Sequence, residues 1–180
     1  MARTEVVTRE QLIETAARIL AEDGLGGLST RRLANELGVS TMVVYTRFGS
    51  MPELMDAVIS EGFDRQAVRL DAVEETRNAR TDLVELAVAY RANALANPHL
   101  YSIMYAGNGE PQHRAEQAKE TFDLLTAAVT RAGEPAVLAE QIWSVVHGAV
   151  SLELAGMAGS PDRAAQALRA SIKRLVSGKG

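Results

Sequence analysis

Two neighbouring stretches hold side chains suited to gripping a polyanion and reading the edges of stacked bases. In Ser40-Thr-Met-Val-Val-Tyr-Thr-Arg-Phe48, Thr41 pairs with Tyr45, and Met42 with Thr46, at a spacing of one helical turn. The hydroxyls of Thr41 and Thr46 suit base edges, and Met42 suits a thymine methyl. A plain solvated face would also tolerate the threonines, but a lone Met there is unusual. Tyr45 can pack its ring and turn its hydroxyl to a phosphate. Arg47 adds a cation, and the helix start at Ser40 adds backbone N–H donors without formal charge. Arg31 and Arg32 open the preceding helix; Arg31 is taken as the phosphate contact and Arg32 as a solvated neighbour.

These residues must be carried by two short helices and a tight turn. Ser29 is a suitable N-cap, and Leu33, Ala34 and Leu37 form an apolar stripe behind it. Gly38 follows where a helix end needs positive φ. Val39 can plug the angle between the helices, and Ser40 caps the second, which buries Val43, Val44 and Phe48 and stops at Gly49. The pattern is a helix-turn-helix. Upstream, Thr8-Arg-Glu-Gln11 matches a capping box for a helix through Leu12, Ala16, Ile19 and Leu20 that ends at Gly24.

The stretch Gly38 to Leu54 resembles the signature of TetR-family transcriptional regulators. The matching residues are Gly38, Val39, Ser40, Val44, Tyr45, Phe48 and Leu54. The likeness reaches back to Thr8 and covers about the first third of the chain. Arg47 replaces the family's usual His and can still contact a phosphate. Met51 replaces the usual Lys and cannot. Further on, Trp143-Ser-Val-Val-His147-Gly148 resembles a Trp-x-x-x-His-Gly pattern in one type of C-terminal domain of TetR-like regulators.

Composition bounds the remaining readings. The chain has 180 residues, a net charge of −4 and no cysteine. Disulfides, thiolate zinc sites and thiol catalysis are excluded. No secretory signal and no bilayer-length apolar run are evident, so the expected location is cytoplasmic. The negative total argues mildly against a nucleic-acid partner, but from Leu28 to Ser50 three arginines face only Glu36. That local field matters most, because charges beyond about 8 Å are screened at physiological salt. No nucleophile elbow or zincin motif is present, so the chain is read as no enzyme and assigned no cofactor. A helical adaptor would explain the apolar helices but not the head motif. His99, His113 and His147 lack close ligand spacing, so no metal site is assigned.

Beyond the motif every element reads as helix. One runs from Met51 or Pro52 past Ala67 into the charged stretch Asp71 to Arg80. Others cover Leu83 to Ala96, His99 to Tyr105, Glu116 to Ala132, Ala136 to Ala158 and Pro161 to Val176, with a loop at Gly107 to Pro111. The expected fold is all-α with about nine helices. A three-helix DNA-binding head over residues 1–50 would precede a helical ligand-binding and dimerisation domain over 51–180.

Two further residue sets have both a packing and a functional reading. Tyr90, Tyr101, Met104, Tyr105, Phe122, Trp143 and His147 are either core or the wall of a cavity for an apolar or aromatic effector. Gly148, Ala149, Leu152 and Gly156 form a small-residue stripe, suited to packing within one subunit or across a two-fold axis. The TetR resemblance implies a four-helix dimer interface from the last two helices. Ala165, Leu168 and Ile172 would complete it. The resulting expectation is a homodimeric, ligand-responsive repressor on a palindromic operator.

Overall fold

The computed structural model describes residues 7–106 and 111–178. Among them it has nine α-helices, a short 3-10 turn at Leu25–Gly27, and no strand. The helices are α1 Arg9–Asp23, α2 Thr30–Glu36, α3 Thr41–Phe48, α4 Met51–Asp71, α5 Ala79–Ala96, α6 Pro98–Tyr105, α7 Pro111–Arg131, α8 Val137–Leu154 and α9 Pro161–Ser177. No helix among the described residues is long and apolar enough to cross a membrane. Packing divides them into two compact units. One falls within Met1–Phe63 and His99–Glu116, the other within Asp64–Pro98 and Gln117–Gly180.

The first unit begins with the capping box. The Thr8 hydroxyl accepts from the Gln11 amide at 3.1 Å, and the Gln11 side chain accepts from the Thr8 N–H at 2.8 Å. Together they satisfy two donors that a helix start otherwise leaves unpaired. Leu12, Ile13, Ala16 and Ile19 of α1 are fully buried, with Leu33 and Ala34 of α2 and Val44 of α3. Each buried Leu or Ile contributes on the order of 1.5–3 kcal/mol. The turn between α2 and α3 needs Gly38, whose φ is 65°. Leu54, Val58, Ile59 and Phe63 of α4 and Leu100, Ile103 and Met104 of α6 belong to the same unit and are buried. At Gly62 a Cβ would lie 2.6 Å from Met104 Cγ and 2.7 Å from its sulfur, so a larger residue would require the Met104 side chain to move.

In the second unit α5, α8 and α9 pack on one another. Leu83, Val84 and Ala87 of α5, Ile142, Val146 and Val150 of α8, and Leu168, Ile172 and Val176 of α9 are buried. Arg91 fixes the corner: its Nε donates to Glu153 at 2.7 Å and its Nη2 to the Pro161 carbonyl at 3.1 Å. Arg169 pairs with Glu85 at 2.6 Å.

Several helix limits differ from the sequence expectation for local reasons. α4 stops at Asp71 and does not continue to Arg80. Asn78 caps α5 by accepting from the Thr81 N–H at 3.3 Å, so the chain leaves helical geometry before it and α5 starts at Ala79, not Leu83. α6 and α7 begin earlier than expected, at prolines 98 and 111, a residue type suited to a first turn. α8 ends at Leu154, not Ala158, because Gly156 takes a φ of 73° and the Met157 N–H turns back to the Leu152 carbonyl at 2.9 Å. Gly156 is therefore in a turn and not on the α8 face. The loop expected at Gly107 to Pro111 lies, up to residue 110, outside the described residues.

Candidate nucleic-acid interface

α3 is presented by the packing of its opposite side. Val44 and Phe48 point into the core, which leaves Thr41, Met42, Tyr45, Thr46 and Arg47 exposed. Met42 is 68% exposed and Tyr45 49%. An apolar thioether and a phenol therefore open to water on the same helix. Ser40 occupies the N-cap position, but its side chain makes no cap hydrogen bond. The sequence expected that bond; the structure leaves the hydroxyl exposed beside the start of α3.

The two arginines at the start of α2 have different roles. Arg32 is occupied: it pairs with Asp23 at 2.5 Å and Glu36 at 3.2 Å, and donates to the Gly27 carbonyl at 3.3 Å. Its charge stitches α2 to the turn that precedes it. Hydrogen bonds to Asp23 and Glu36 raise its pKa further above the ordinary guanidinium value. Arg18 pairs with Glu36 and, at 2.7 Å, with Glu22. Arg31 and Arg47 are exposed, and among the described residues neither has an ion pair or hydrogen bond. The sequence expectation that one of Arg31 and Arg32 faces outward thus acquires a cause. Arg9 is also engaged, over the Phe48 ring at 5.5 Å and 3.8 Å from Glu61.

The seven residues expected around an effector cavity fall into two groups. Tyr101 and Met104 are buried in the first unit, and the Tyr105 ring lies 5.1 Å from that of Tyr101 and 5.9 Å from that of Phe63. In the second unit, Phe122 meets Trp143 edge-on at 5.7 Å, and Trp143 lies 6.4 Å from His147. The Tyr90 hydroxyl is 3.4 Å from His147 Nδ1. Burial pushes the His147 pKa down and favours the neutral ring.

A cavity of about 210 Å³ in the second unit is lined by none of these seven. Its apolar wall is Leu70, Leu86, Leu124 and Ala128. Its polar edge includes Asp82 and Arg131, which sequence reading did not single out. Asp82 is 2% exposed; it accepts from the Thr76 N–H at 3.0 Å and its hydroxyl at 2.6 Å, and pairs with Arg131 at 3.0 Å. Burial opposes its ionisation, but these bonds outweigh burial and hold its carboxyl below the ordinary range. Two more residues escaped sequence reading. Gln66 on α4 is fully buried and Thr121 on α7 is 7% exposed, and their polar side-chain atoms have no hydrogen-bond partner among the described residues. A buried group left so costs on the order of 1–3 kcal/mol. Among the described residues no cluster of His, Asp or Glu could hold a metal ion.

The residues expected at a dimer interface also divide. Gly148 and Leu152 are exposed on α8, Leu152 by 50%, and Ala149 and Ala165 are half-buried. Leu168 and Ile172 are 2% and 0% exposed within the subunit. They leave no surface for a partner, because α9 turns them against α5 and α8.

Comparisons with known proteins agree on the family. A model described as bacterial regulatory proteins of the tetR family matches residues 12–58. One described as the tetracyclin repressor-like C-terminal domain matches residues 83–175. An uncharacterized HTH-type transcriptional regulator of Mycobacterium tuberculosis, Rv0681, is 28% identical over 168 residues, covering 90% of this chain and 77% of its own. A protein of unknown function from Rhodococcus sp. RHA1 has a similar structure, with a TM-score of 0.77 and 29% identity over 97% of this chain and 98% of that one. The TetR-family regulator PfmR of Thermus thermophilus shares the fold, with a TM-score of 0.78 at 20% identity over 94% and 98% of the two chains. With its helix-turn-helix head and more than half its length matched by the C-terminal model, this chain belongs to the TetR family of transcriptional regulators.

Proposed function

We propose that the chain is a ligand-responsive repressor that binds a palindromic operator as a homodimer and is released by a small apolar or aromatic molecule. Residues 1–50 form the DNA-binding head and 51–180 the effector and dimerisation domain, the latter of the Trp-His-Gly type around Trp143, His147 and Gly148. The protein acts in the cytoplasm and catalyses no reaction. The observation that carries this reading is the outward face of α3, where Thr41, Met42, Tyr45, Thr46 and Arg47 stand exposed, with Arg31 of α2 exposed and without an ion pair among the described residues. Thr41, Met42 and Thr46 read bases, while Ser40, Tyr45, Arg31 and Arg47 hold the backbone. Two such heads would occupy successive major grooves.

Dimer contacts come from the outer face of α8, with Gly148, Ala149 and Leu152, and from Ala165 of α9. Exposed Val137, Leu154 and Met157 support an apolar seam there. The effector is held within the second unit, against Tyr90, Phe122, Trp143 and His147. It must favour one head spacing over the other, since equal affinity for both shifts nothing.

The test is a mobility shift on DNA flanking the protein's own gene. Met42→Ala should change preference at one operator position by about 1–3 kcal/mol. Arg47→Ala should weaken binding to every sequence and reduce the logarithmic salt slope by about 1. An unchanged slope would remove Arg47 from the backbone contacts.

A further inference from the structure

Sulfur chemistry in this chain rests on methionine alone, because there is no cysteine. The methionines among the described residues are not equally open to it. In the first unit Met104 is 1% exposed, and Met51 and Met55 are half-buried. Met42 is 68% exposed, on the side of α3 away from the buried Val44 and Phe48. Met157, in the second unit, is the other open thioether among them. A thioether reacts according to how freely an oxidant reaches it. No packing within the subunit calls for a methionine at 42, and its companions on that face, Thr41, Tyr45 and Thr46, are exposed as well. One position thus combines an oxidisable group, free access, and a surface whose aliphatic character depends on that single side chain.

We propose that Met42 is an oxidation site on the nucleic-acid face, and that hydrogen peroxide acting there weakens operator binding. This rests on the base-reading role proposed for α3 above. The Met42 sulfur attacks one peroxide oxygen, and an S–O bond forms as the O–O bond breaks. Sulfur gives up two electrons and becomes a sulfoxide. The departing oxygen takes the proton from the transferred one and leaves as water. The product is a polar, chiral group in place of a flexible apolar one. Against a thymine methyl the sulfoxide oxygen loses its water and gains no donor, a cost where the thioether makes a favourable contact. The fold is untouched, because Met42 lies outside the buried core. Reductases specific for the two sulfoxide epimers reverse the step.

The experiment uses the full-length protein and operator DNA that the untreated protein selects from random duplexes. Affinity is measured before and after brief treatment with hydrogen peroxide, and sulfoxide is mapped by peptide mass spectrometry. Met42 should gain one oxygen well before Met104 does. Operator affinity should fall by about fivefold or more, the loss expected of one mismatched base contact, with the melting temperature unchanged. Treatment with both sulfoxide reductases should restore it. Met42→Leu has no thioether at 42 and keeps Met157, so peroxide should not alter whatever operator affinity that variant has. Bound operator should slow oxidation of Met42 and leave that of Met157 as it was. The proposal is overturned if oxidised wild type binds as tightly as before, if Met42→Leu loses as much affinity on treatment as wild type, or if operator leaves Met42 as reactive as in the free protein. An untreated wild type that selects no sequence refutes the regulator reading and this proposal together. The other failures overturn the proposal alone.

Discussion

Among the described residues, the outward side chains of α3 without protein partners are polar apart from Met42; in the second unit the unpartnered groups are polar and face inward, or apolar and face outward. Arg31, Arg47 and the α3 hydroxyls lose nothing by facing water, because solvent satisfies them. Gln66 and Thr121 have no such recourse and lower stability for as long as they are unmatched. Leu152, Val137 and Met157 represent the converse, apolar area left in water. The three sets differ in what would satisfy them: an anion suits exposed cations, a hydrogen-bonding group suits buried polar atoms, and another apolar face suits exposed apolar area.

The largest effect tests the third kind. Leu152→Arg would place a cation on each side of the proposed two-fold seam. Leu152 is half exposed, so each subunit should fold normally while sedimentation reports a monomer. A folded Leu152→Arg dimer would place the interface elsewhere.

Next in size is a polar group that the second unit buries with its partners. Asp82→Asn should cost about 2–3 kcal/mol in urea denaturation at pH 7, because it removes charge-assisted bonds from Arg131 and Thr76. The sign with pH follows from the depressed pKa of the folded carboxyl. Its stabilisation is complete above the ordinary carboxylate range and is lost as pH falls through the lower folded value. The Asp82→Asn protein should lack that acid-side loss. If the two proteins show the same acid dependence, Asp82 is not the group that titrates.

The smallest effect distinguishes the two neighbours on α2. Arg32→Ala should lower the melting temperature by no more than about 3 °C, as expected for exposed ion pairs. Arg31→Ala should leave melting unchanged and instead flatten the salt dependence of operator binding. Reversed outcomes would exchange their roles.

The head was legible in the sequence because its signals are local. A capping box, an N-cap at Ser29 and a glycine at 38 each act within four residues, and the structure has all three. The limits of α4 and α8 were less so, since a charged stretch and an alanine-rich stretch both tolerate helix. Gly156 turns the chain at the end of α8, and Asn78 starts α5 after α4 has already stopped at Asp71. Gln66 was hidden by its neighbours: Phe63, Gln66 and Leu70 share one helical stripe, and the eye passes over one polar residue among apolar ones. An amide on such a stripe is itself a signal. Asp82, just ahead of Leu83 and Leu86, is the same case with its partners 6 and 49 residues further from view along the chain, at Thr76 and Arg131. The burial of Leu168 and Ile172 could not be read from spacing, because the apolar face of α9 serves its own subunit first.

Gly62 and Met104 also constrain how this chain can diverge. Position 62 has no room for a β-carbon while a methionine sulfur rests on its backbone, and Met104, 1% exposed, has no free space to retreat into. A lineage that acquires alanine at 62 must shorten or reshape the residue at 104 in the same step or pass through a destabilised intermediate. Descendants should therefore show these two sites changing together, as a correlated pair 42 residues apart, while the flanking apolar positions drift independently.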